Sequence, residues 1–258
     1  YIERGEATWE GQSLEICQQQ IDDFGISSFN RESQHDVDLM GGLWDHIDFG
    51  IIHKEYEKIK DQIVDVETWV DPAVTSTDNS DCMGISSGAK MLDGSLVGLY
   101  WWEQITTPED AISRAIKVAI EYGGNSVGVE TDNGGDTWRS VYTLSLQKVA
   151  EELYEIYARE HAEDKRPKEF IIDDILKTLP KFKYDKAGHG HGPKVERNQR
   201  MMTDYEKGKV FHCMGTHNNI EKALRRFPNK PLDLADSWYY VWYHTIGKKK
   251  FQLKVSTA

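Results

Sequence analysis

Acidic side chains stand at the ends of two apolar segments of this sequence and inside a third. Asp71 ends the run VETWVD, and Glu130 ends the run NSVGVE. Asp233 and Asp236 are three residues apart in PLDLADSW, so a helix there places both on one face. Carboxylates gathered in this way are the oxygen ligands that Mg²⁺ and Mn²⁺ take in proteins.

Three of these carboxylates, Asp71, Glu130 and Asp236, are sufficient to hold two metal ions. Two ions about 3.5–4 Å apart activate a water and stabilise the leaving oxygen when a phosphodiester is hydrolysed. Without metal, the carboxylates repel one another and at least one pKa rises. A single acid at a strand end is usually a turn or cap residue. Two of them flanking one βββαβ unit, with an acidic helix behind, favour a metal site.

The elements that must position these acids are a predicted strand meander and a crossover. Alternating and β-branched residues predict strands at 66–71, 82–89 and 96–102, with an Asp93-Gly94 turn before the third. Thr107 and Pro108 begin a helix that Gly123-Gly124 ends. A strand at 125–130 follows, and such a crossover makes it parallel to a neighbouring strand.

The remaining elements complete an α/β fold with a mixed central sheet, three antiparallel strands and then parallel ones, flanked by helices. Apolar spacing predicts helices at 138–162, 196–206, 219–226 and 232–243, and a short strand at 209–211. Residues 1–64 are polar and their composition favours helix, which indicates a lead-in or linker segment. Residues 65–258 are therefore the predicted main domain.

Charge limits how this chain can bind nucleic acid. The net charge is -12, and phosphate contacts need Lys and Arg, so tight non-specific DNA binding is not expected. The segment 177–200 is a local exception, with seven Lys/Arg against two Asp/Glu. Any grip on DNA is expected to be local and weak. Within this segment, His189 and His191 of GHGHG have no Cys or third His nearby, which favours a flexible loop over a transition-metal site.

The cysteines and the first residues of the sequence indicate the cellular compartment in which the protein is expected to fold. Cys17, Cys82 and Cys213 are odd in number and lack CxxC spacing, which argues against a disulfide framework and a structural zinc site. The first residues are charged and lack the apolar region of a signal peptide. No apolar run approaches the length needed to span a membrane. We expect a soluble protein of a reducing cytoplasm.

Several motifs, in this order, resemble the nuclease domain of the terminase large subunit of tailed bacteriophages, which has an RNase H-like fold. They are WVDPA at 69–73, VGVETDNGG at 127–135, KVERNQRMMTDYEKGKVFH at 194–212 and LDLADSW at 232–238. The earlier FNRESQ at 29–34 and GGLW at 41–44 resemble the segment that links ATPase and nuclease in that family. The resemblance covers roughly residues 29–245, and its specificity lies in the order and spacing of the motifs.

The resemblance also implies roles for individual residues. Asp71, Glu130 and Asp236 match the catalytic ligands of two Mg²⁺ or Mn²⁺ ions. Three further acids stay open as ligands: Asp132 as a rival of Glu130, Asp233 as a supporting acid that competes with Asp236, and Asp81 from the neighbouring strand. The cations placed beside the site, as contacts to DNA phosphates, are Lys194, Arg197 and Arg200.

The function implied by the resemblance is an endonuclease that cuts double-stranded DNA during viral genome packaging in the host cytoplasm. Portal protein and the small terminase subunit would be its partners, and the isolated domain is expected to be a monomer. The sequence holds no GxxxxGK[ST] phosphate loop, so it resembles the C-terminal nuclease portion of a larger protein and should not hydrolyse ATP. Two alternatives stay open: a junction resolvase or integrase-type enzyme of the same fold, and a non-catalytic docking module of a packaging motor.

Overall fold

A seven-stranded mixed sheet runs through the protein. The computed structural model describes residues 13–25, 29, 42–72, 82–131, 135–186 and 190–248. The strands are β1 His53–Lys54, β2 Ile63–Asp71, β3 Met83–Met91, β4 Leu96–Gln104, β5 Ser126–Thr131, β6 Lys181–Lys186 and β7 Val210–Cys213. The α-helices of the described residues are α1 Leu14–Phe24, α2 Tyr56–Ile59, α3 Pro108–Tyr122, α4 Gly135–Glu160, α5 Lys168–Thr178, α6 Lys194–Glu206, α7 His217–Arg226 and α8 Asp233–Trp242, and short 3-10 helices span Phe49–Ile51 and Lys60–Gln62. A π-helical turn, Tyr243–Gly247, continues α8.

The strand order is β1-β7-β4-β3-β2-β5-β6. β2, β3 and β4 pair antiparallel, whereas β5 pairs parallel with β2, and β6 parallel with β5. At the other side, β7 is parallel to β4, and β1 to β7. A meander of three strands followed by strands parallel to the first is the RNase H-like topology. The predicted fold class is confirmed.

Local sequence signals account for most of these elements. The three meander strands and β5 form where alternation and turn residues predict them. The Thr107 side chain accepts a hydrogen bond from the Asp110 amide at the start of α3, and Gly123 ends that helix with φ 77°. Gly94 turns the β3–β4 hairpin with φ 84°, a conformation that glycine adopts at little cost.

Three elements, α5, β6 and β1, were not predicted from the sequence. The helix α5 was not predicted, and β6 falls in the basic segment, which was not assigned a strand. β6 has the sequence KFKYDK and ends the strand order of the described sheet, so its side chains are half-buried or exposed and show no apolar run. The short β1 also lies inside the predicted lead-in segment.

Each face of the sheet is covered by its own hydrophobic core. One core contains α3 and α4 packed on Val70, Val127 and Val129. The other lies beneath α6, α7 and α8. Trp44 and Phe49 of the predicted lead-in are buried in this second core, where both rings contact Tyr205. The division of the chain at residue 64 stays a prediction. In the described part of the chain, no helix is both long and apolar enough to cross a membrane.

Candidate metal centre

The alternation of β2 points Asp71 towards α8. Successive strand residues face opposite sides of a sheet. Trp69 is in the core under α8 and stacks on Tyr240, whereas Val70 is in the core on the opposite face. Asp71, two residues after Trp69, therefore faces α8, at the last position of the strand.

Glu130 faces the same side from the neighbouring strand. Val127 and Val129 of β5 lie in the α3–α4 core, so Gly128 and Glu130 face α8. A Cβ at Gly128 would collide with the ring of Trp69. The glycine of the VGVE motif thus makes room for the tryptophan of the WVD motif, and the two acids stand on adjacent parallel strands.

The helix α8 carries Asp236 to the sheet because β3 presents small residues to it. A Cβ at Gly84 would collide with the backbone carbonyl of Asp233, and one at Gly88 would lie 2.9 Å from Trp238. Between these glycines, the hydroxyl oxygens of Ser86 and Ser237 are 2.7 Å apart and hydrogen-bonded. This close approach brings Asp236, in the first turn of α8, over the ends of β2 and β5.

The three carboxylates converge in a buried cluster. Ligand oxygens of Asp71, Glu130 and Asp236 all lie within 4.8 Å of one another. Asp71 and Glu130 are each 7% exposed, and Asp236 is fully buried. The buried atoms Asp71 Oδ2, Glu130 Oε2 and Asp236 Oδ1 accept no hydrogen bond from any described residue. Buried anionic oxygens without donors are costly, and a hard divalent cation satisfies them, so the residues present fit such an ion.

Burial and mutual repulsion perturb the cluster. Burial, together with the charges of Glu130 and Asp236, raises the pKa of Asp71 well above its usual range, and Lys194 only partly offsets this. Burial also raises the pKa of Asp236, against the opposing effect of Lys194. Asp71 and Asp236 therefore bind protons more tightly than isolated aspartates do, and added positive charge opposes this.

Lys194 and Arg197 supply positive charge from the first turns of α6. The Lys194 ammonium contacts Oδ2 of Asp236 and lies 4.0 Å from Oδ2 of Asp71. Burial acts to lower its pKa, but the charges of Asp71 and Asp236 outweigh this, and the pKa of Lys194 is raised. Arg197 Nη1 donates to Oε1 of Glu130 at 3.0 Å. The Tyr240 hydroxyl donates to the same oxygen, also at 3.0 Å.

The predicted DNA contacts have distinct environments in the structure. Arg197 is only 4% exposed and is paired with Glu130, so its position suits holding the carboxylate. Arg200 is half-buried and donates to the backbone carbonyl of His191. Lys194 is the most exposed of the three at its side chain. Phosphate contact by these residues stays a prediction.

Of the three further acids that the sequence offers as ligands, only Asp233 lies within the described residues. Asp233 is buried on α8, and its charge contributes to raising the pKa of Asp71, but it is not among the residues whose ligand atoms meet within 4.8 Å. This geometry favours Asp236 over Asp233. Asp81 and Asp132 lie outside the described residues, as does His189.

His191 is not in a solvated loop. It is 2% exposed and packs edge-on against Tyr239, Tyr240 and Tyr243. Its Nδ1 is 3.1 Å from the Tyr239 hydroxyl, and its Nε2 is 3.4 Å from Asp185. Sequence analysis missed this packing, and also the pairing of Arg197 with Glu130. The only local signal for the latter is the three-residue spacing of Lys194 and Arg197, which places them on one helix face.

Comparison with protein-family models finds no match, and comparison with curated proteins finds none either. Among solved structures, the nuclease domain of the human cytomegalovirus terminase is 11% identical, with a TM-score of 0.46, and the similarity covers 76% of this chain and 90% of that one. The nuclease domain of the large terminase subunit of bacterial virus Sf6 is 11% identical, with a TM-score of 0.43 and coverage of 75% and 94%. The mitochondrial Holliday junction resolvase of yeast is 10% identical, with a TM-score of 0.36 and coverage of 92% and 97%.

Two of these structures are terminase nuclease domains, the class of protein that the sequence motifs resemble. With identities of 10–11% and TM-scores below 0.5, these similarities carry no argument about function. A function for this chain has to come from its own side chains.

Proposed function

We propose that this protein is a divalent-metal-dependent nuclease that hydrolyses phosphodiester bonds in double-stranded DNA. The observation that carries the proposal is the convergence of Asp71, Glu130 and Asp236, buried, within 4.8 Å, and each with an oxygen that no described residue satisfies. A stable core does not need three mutually repelling carboxylates at one point. A nuclease does, because it has to gather metal ions against a phosphate.

The side chains divide the work of the site. Asp71, Glu130 and Asp236 would hold two Mg²⁺ or Mn²⁺ ions. When bound, such ions lower the pKa of a coordinated water and polarise the scissile phosphate. Arg197 and Tyr240 both donate to Oε1 of Glu130, and Oε2 accepts no hydrogen bond from a described residue. Lys194 balances the charge of Asp71 and Asp236 and lies at the boundary with solvent, where a DNA phosphate can reach its ammonium.

The biological setting follows from the motif resemblance. In a tailed-phage packaging motor, this activity would cut the DNA concatemer in the host cytoplasm, next to the portal protein and the small terminase subunit. The net charge of -12 fits that setting, because a nuclease held in place by partners does not require strong DNA affinity of its own.

Cleavage of a supercoiled plasmid tests the proposal. With Mg²⁺ or Mn²⁺, the parent protein should nick and linearise the plasmid, and a chelator should stop the reaction. Asp71→Asn, Glu130→Gln and Asp236→Asn should each lower the rate by roughly a hundredfold or more, since each removes a ligand charge. Asp61→Asn, at an exposed acid far from the cluster, is the matched control. Full activity in Asp71→Asn would overturn the site.

Three further experiments distinguish this nuclease from the other candidate ligands and functions. Asp233→Asn should keep most of the cleavage rate, whereas a loss equal to that of Asp236→Asn would make Asp233 a ligand. Calorimetry should show Mn²⁺ binding that Asp236→Asn weakens, and its absence would favour a docking module. A branched DNA junction cut much faster than linear duplex would favour a resolvase.

A further inference from the structure

A second group of metal-ligating side chains lies near one edge of the sheet, on the face covered by α6, α7 and α8 and several strands away from the acidic cluster. His53 of β1 and His217 and Glu221 of α7 present ligand atoms that all lie within 4.8 Å of one another. β7, which pairs with β1, is three strands from β2, so the two clusters are separated by roughly 14 Å or more.

We propose that His53, His217 and Glu221 bind a divalent transition-metal ion, with Zn²⁺ as the natural occupant. Two imidazoles and one carboxylate are a ligand set that zinc uses, with a water in the fourth position. Imidazole nitrogen also separates this site from the acidic cluster, whose all-oxygen ligands suit Mg²⁺ or Mn²⁺. The proposal is independent of the nuclease function.

The helix α7 has the geometry that such a site requires. His217 and Glu221 are four residues apart, so they lie one above the other on the same helix face. The start of the helix is anchored to β4, because Thr216 Oγ1 accepts from the Trp101 amide at 2.8 Å and Asn219 donates to the Trp101 carbonyl at 3.0 Å. The two ligands on α7 are therefore presented from a fixed backbone.

Glu221 is oriented by a chain of buried hydrogen bonds whose directions can be deduced. The Trp238 indole only donates, so the Tyr205 oxygen accepts from it at 2.7 Å. The Tyr205 hydroxyl then donates to Nε2 of His212, also at 2.7 Å. Nε2 of the fully buried His212 therefore accepts, and its Nδ1 donates to Oε1 of Glu221 at 3.1 Å.

This chain is the kind of support that metal-binding carboxylates have in proteins. It fixes Oε1 of Glu221, which is 3.1 Å from Nδ1 of His212 and 2.7 Å from Nε2 of His53. A carboxylate held in this way beside two half-buried imidazoles is a competent ligand set.

Metal coordination would replace two existing hydrogen bonds. Nε2 of His53 is 2.7 Å from Oε1 of Glu221, and the Gly215 amide donates to Nδ1 of His217 at 3.1 Å. The bound ion would tie the two-residue strand β1 to α7. Because His53 follows the segment that contributes Trp44 and Phe49 to the core, zinc should stabilise the attachment of that segment to the sheet edge.

Metal titration of the whole protein tests the site. Zn²⁺ is titrated against a chromophoric chelator in millimolar Mg²⁺, which occupies the acidic cluster, and Co²⁺ is added separately to report four-coordinate geometry through its visible absorption. We expect one Zn²⁺ per chain and a rise in melting temperature. His53→Gln and His217→Gln, at half-buried positions, should each weaken zinc binding roughly tenfold or more.

Two controls identify the ligands. His161→Gln, at an exposed histidine on another surface, should bind zinc like the parent. Asp236→Asn should also retain the zinc site while losing nuclease activity, which separates failure of one proposal from failure of the other. Absence of zinc binding, binding lost in Asp236→Asn, or equal binding in the parent and His217→Gln would each overturn the proposal. The three residues would then be an ion pair of His53 with Glu221 and an edge-on contact between the two histidine rings.

Discussion

Arg197 donates a hydrogen bond from Nη1 to Oε1 of Glu130 at 3.0 Å, and both side chains are buried. The pair links the first turns of α6 to the end of β5. It fixes the carboxylate of the penultimate residue of β5. The position of Glu130 thus depends on a residue 67 positions later in the chain.

Removal of the Arg197 side chain should cost both stability and activity. Arg197→Met leaves the buried Glu130 charge without its ion-pair partner, which typically costs about 3–5 kcal/mol. Chemical denaturation of the metal-free protein measures this loss. Arg197→Met combined with Glu130→Gln should recover much of the stability, since no charge is then left unpaired, but should stay inactive. If the double variant is as unstable as Arg197→Met, the loss comes from packing on Tyr239 and Tyr240 instead.

Asp71→Asn should stabilise the metal-free protein at neutral and alkaline pH. The pKa of Asp71 is raised in the folded state, so the folded state binds this proton more tightly than the unfolded state does. Its contribution to stability is therefore lost as pH rises from about 4, the ordinary value, through the folded pKa. Asparagine does not titrate, so the variant does not lose this stability as pH rises.

Thermal melts in a chelator measure this difference. At about pH 8 the variant should melt a few degrees above the parent, since 1 kcal/mol corresponds to about 2–4 °C at this size. Near the ordinary carboxyl pKa of about 4 the difference should shrink. Mg²⁺ should raise the melting temperature of the parent and not that of the variant. A variant that melts lower than the parent at alkaline pH would contradict the raised pKa.

Lys194→Met should move the acidic limb of the pH–rate profile to higher pH. The ammonium lowers the pKa of both Asp71 and Asp236, and without it each carboxylate holds its proton to higher pH. The comparison requires subsaturating Mg²⁺, because bound metal would mask the missing charge. Lys181→Met, at an exposed lysine of β6, is the matched control. If the acidic limb of the pH–rate profile stays in place while the cleavage rate falls, Lys194 acts only through contact with a DNA phosphate.

Gly84→Ala should impair the site without touching any acid. The new methyl would collide with the backbone of Asp233 and lie 2.7 Å from the Leu234 amide nitrogen, so α8 has to move away from β3. Overpacking of this kind costs about 1–3 kcal/mol. We expect a lower denaturation midpoint. We also expect at least tenfold weaker Mn²⁺ binding by calorimetry, because Asp236 lies on α8 and moves with it. Lys90→Ala, further along the same strand, should leave Mn²⁺ binding unchanged.

The sequence by itself determined where most strands and helices begin and end. Alternation, the Asp93-Gly94 turn and the Thr107 cap act over a few residues, so they can be recognised without the fold. The same local patterns place Asp71 and Glu130 at the ends of their strands. They also place Asp233 and Asp236 on one face of a helix, and the motif order indicates the RNase H-like fold.

Only the tertiary structure decided which of these side chains meet. The choice of Asp236 depends on Gly84, Ser86 and Gly88 letting α8 approach β3, which is a property of packing between distant segments. The roles of Arg197 and of His53 with His217 and Glu221 depend in the same way on contacts between residues far apart in sequence. Such contacts have no local periodicity, since they arise from the relative placement of whole elements. The sequence could indicate acids suited to metal, and the fold selected the three that converge.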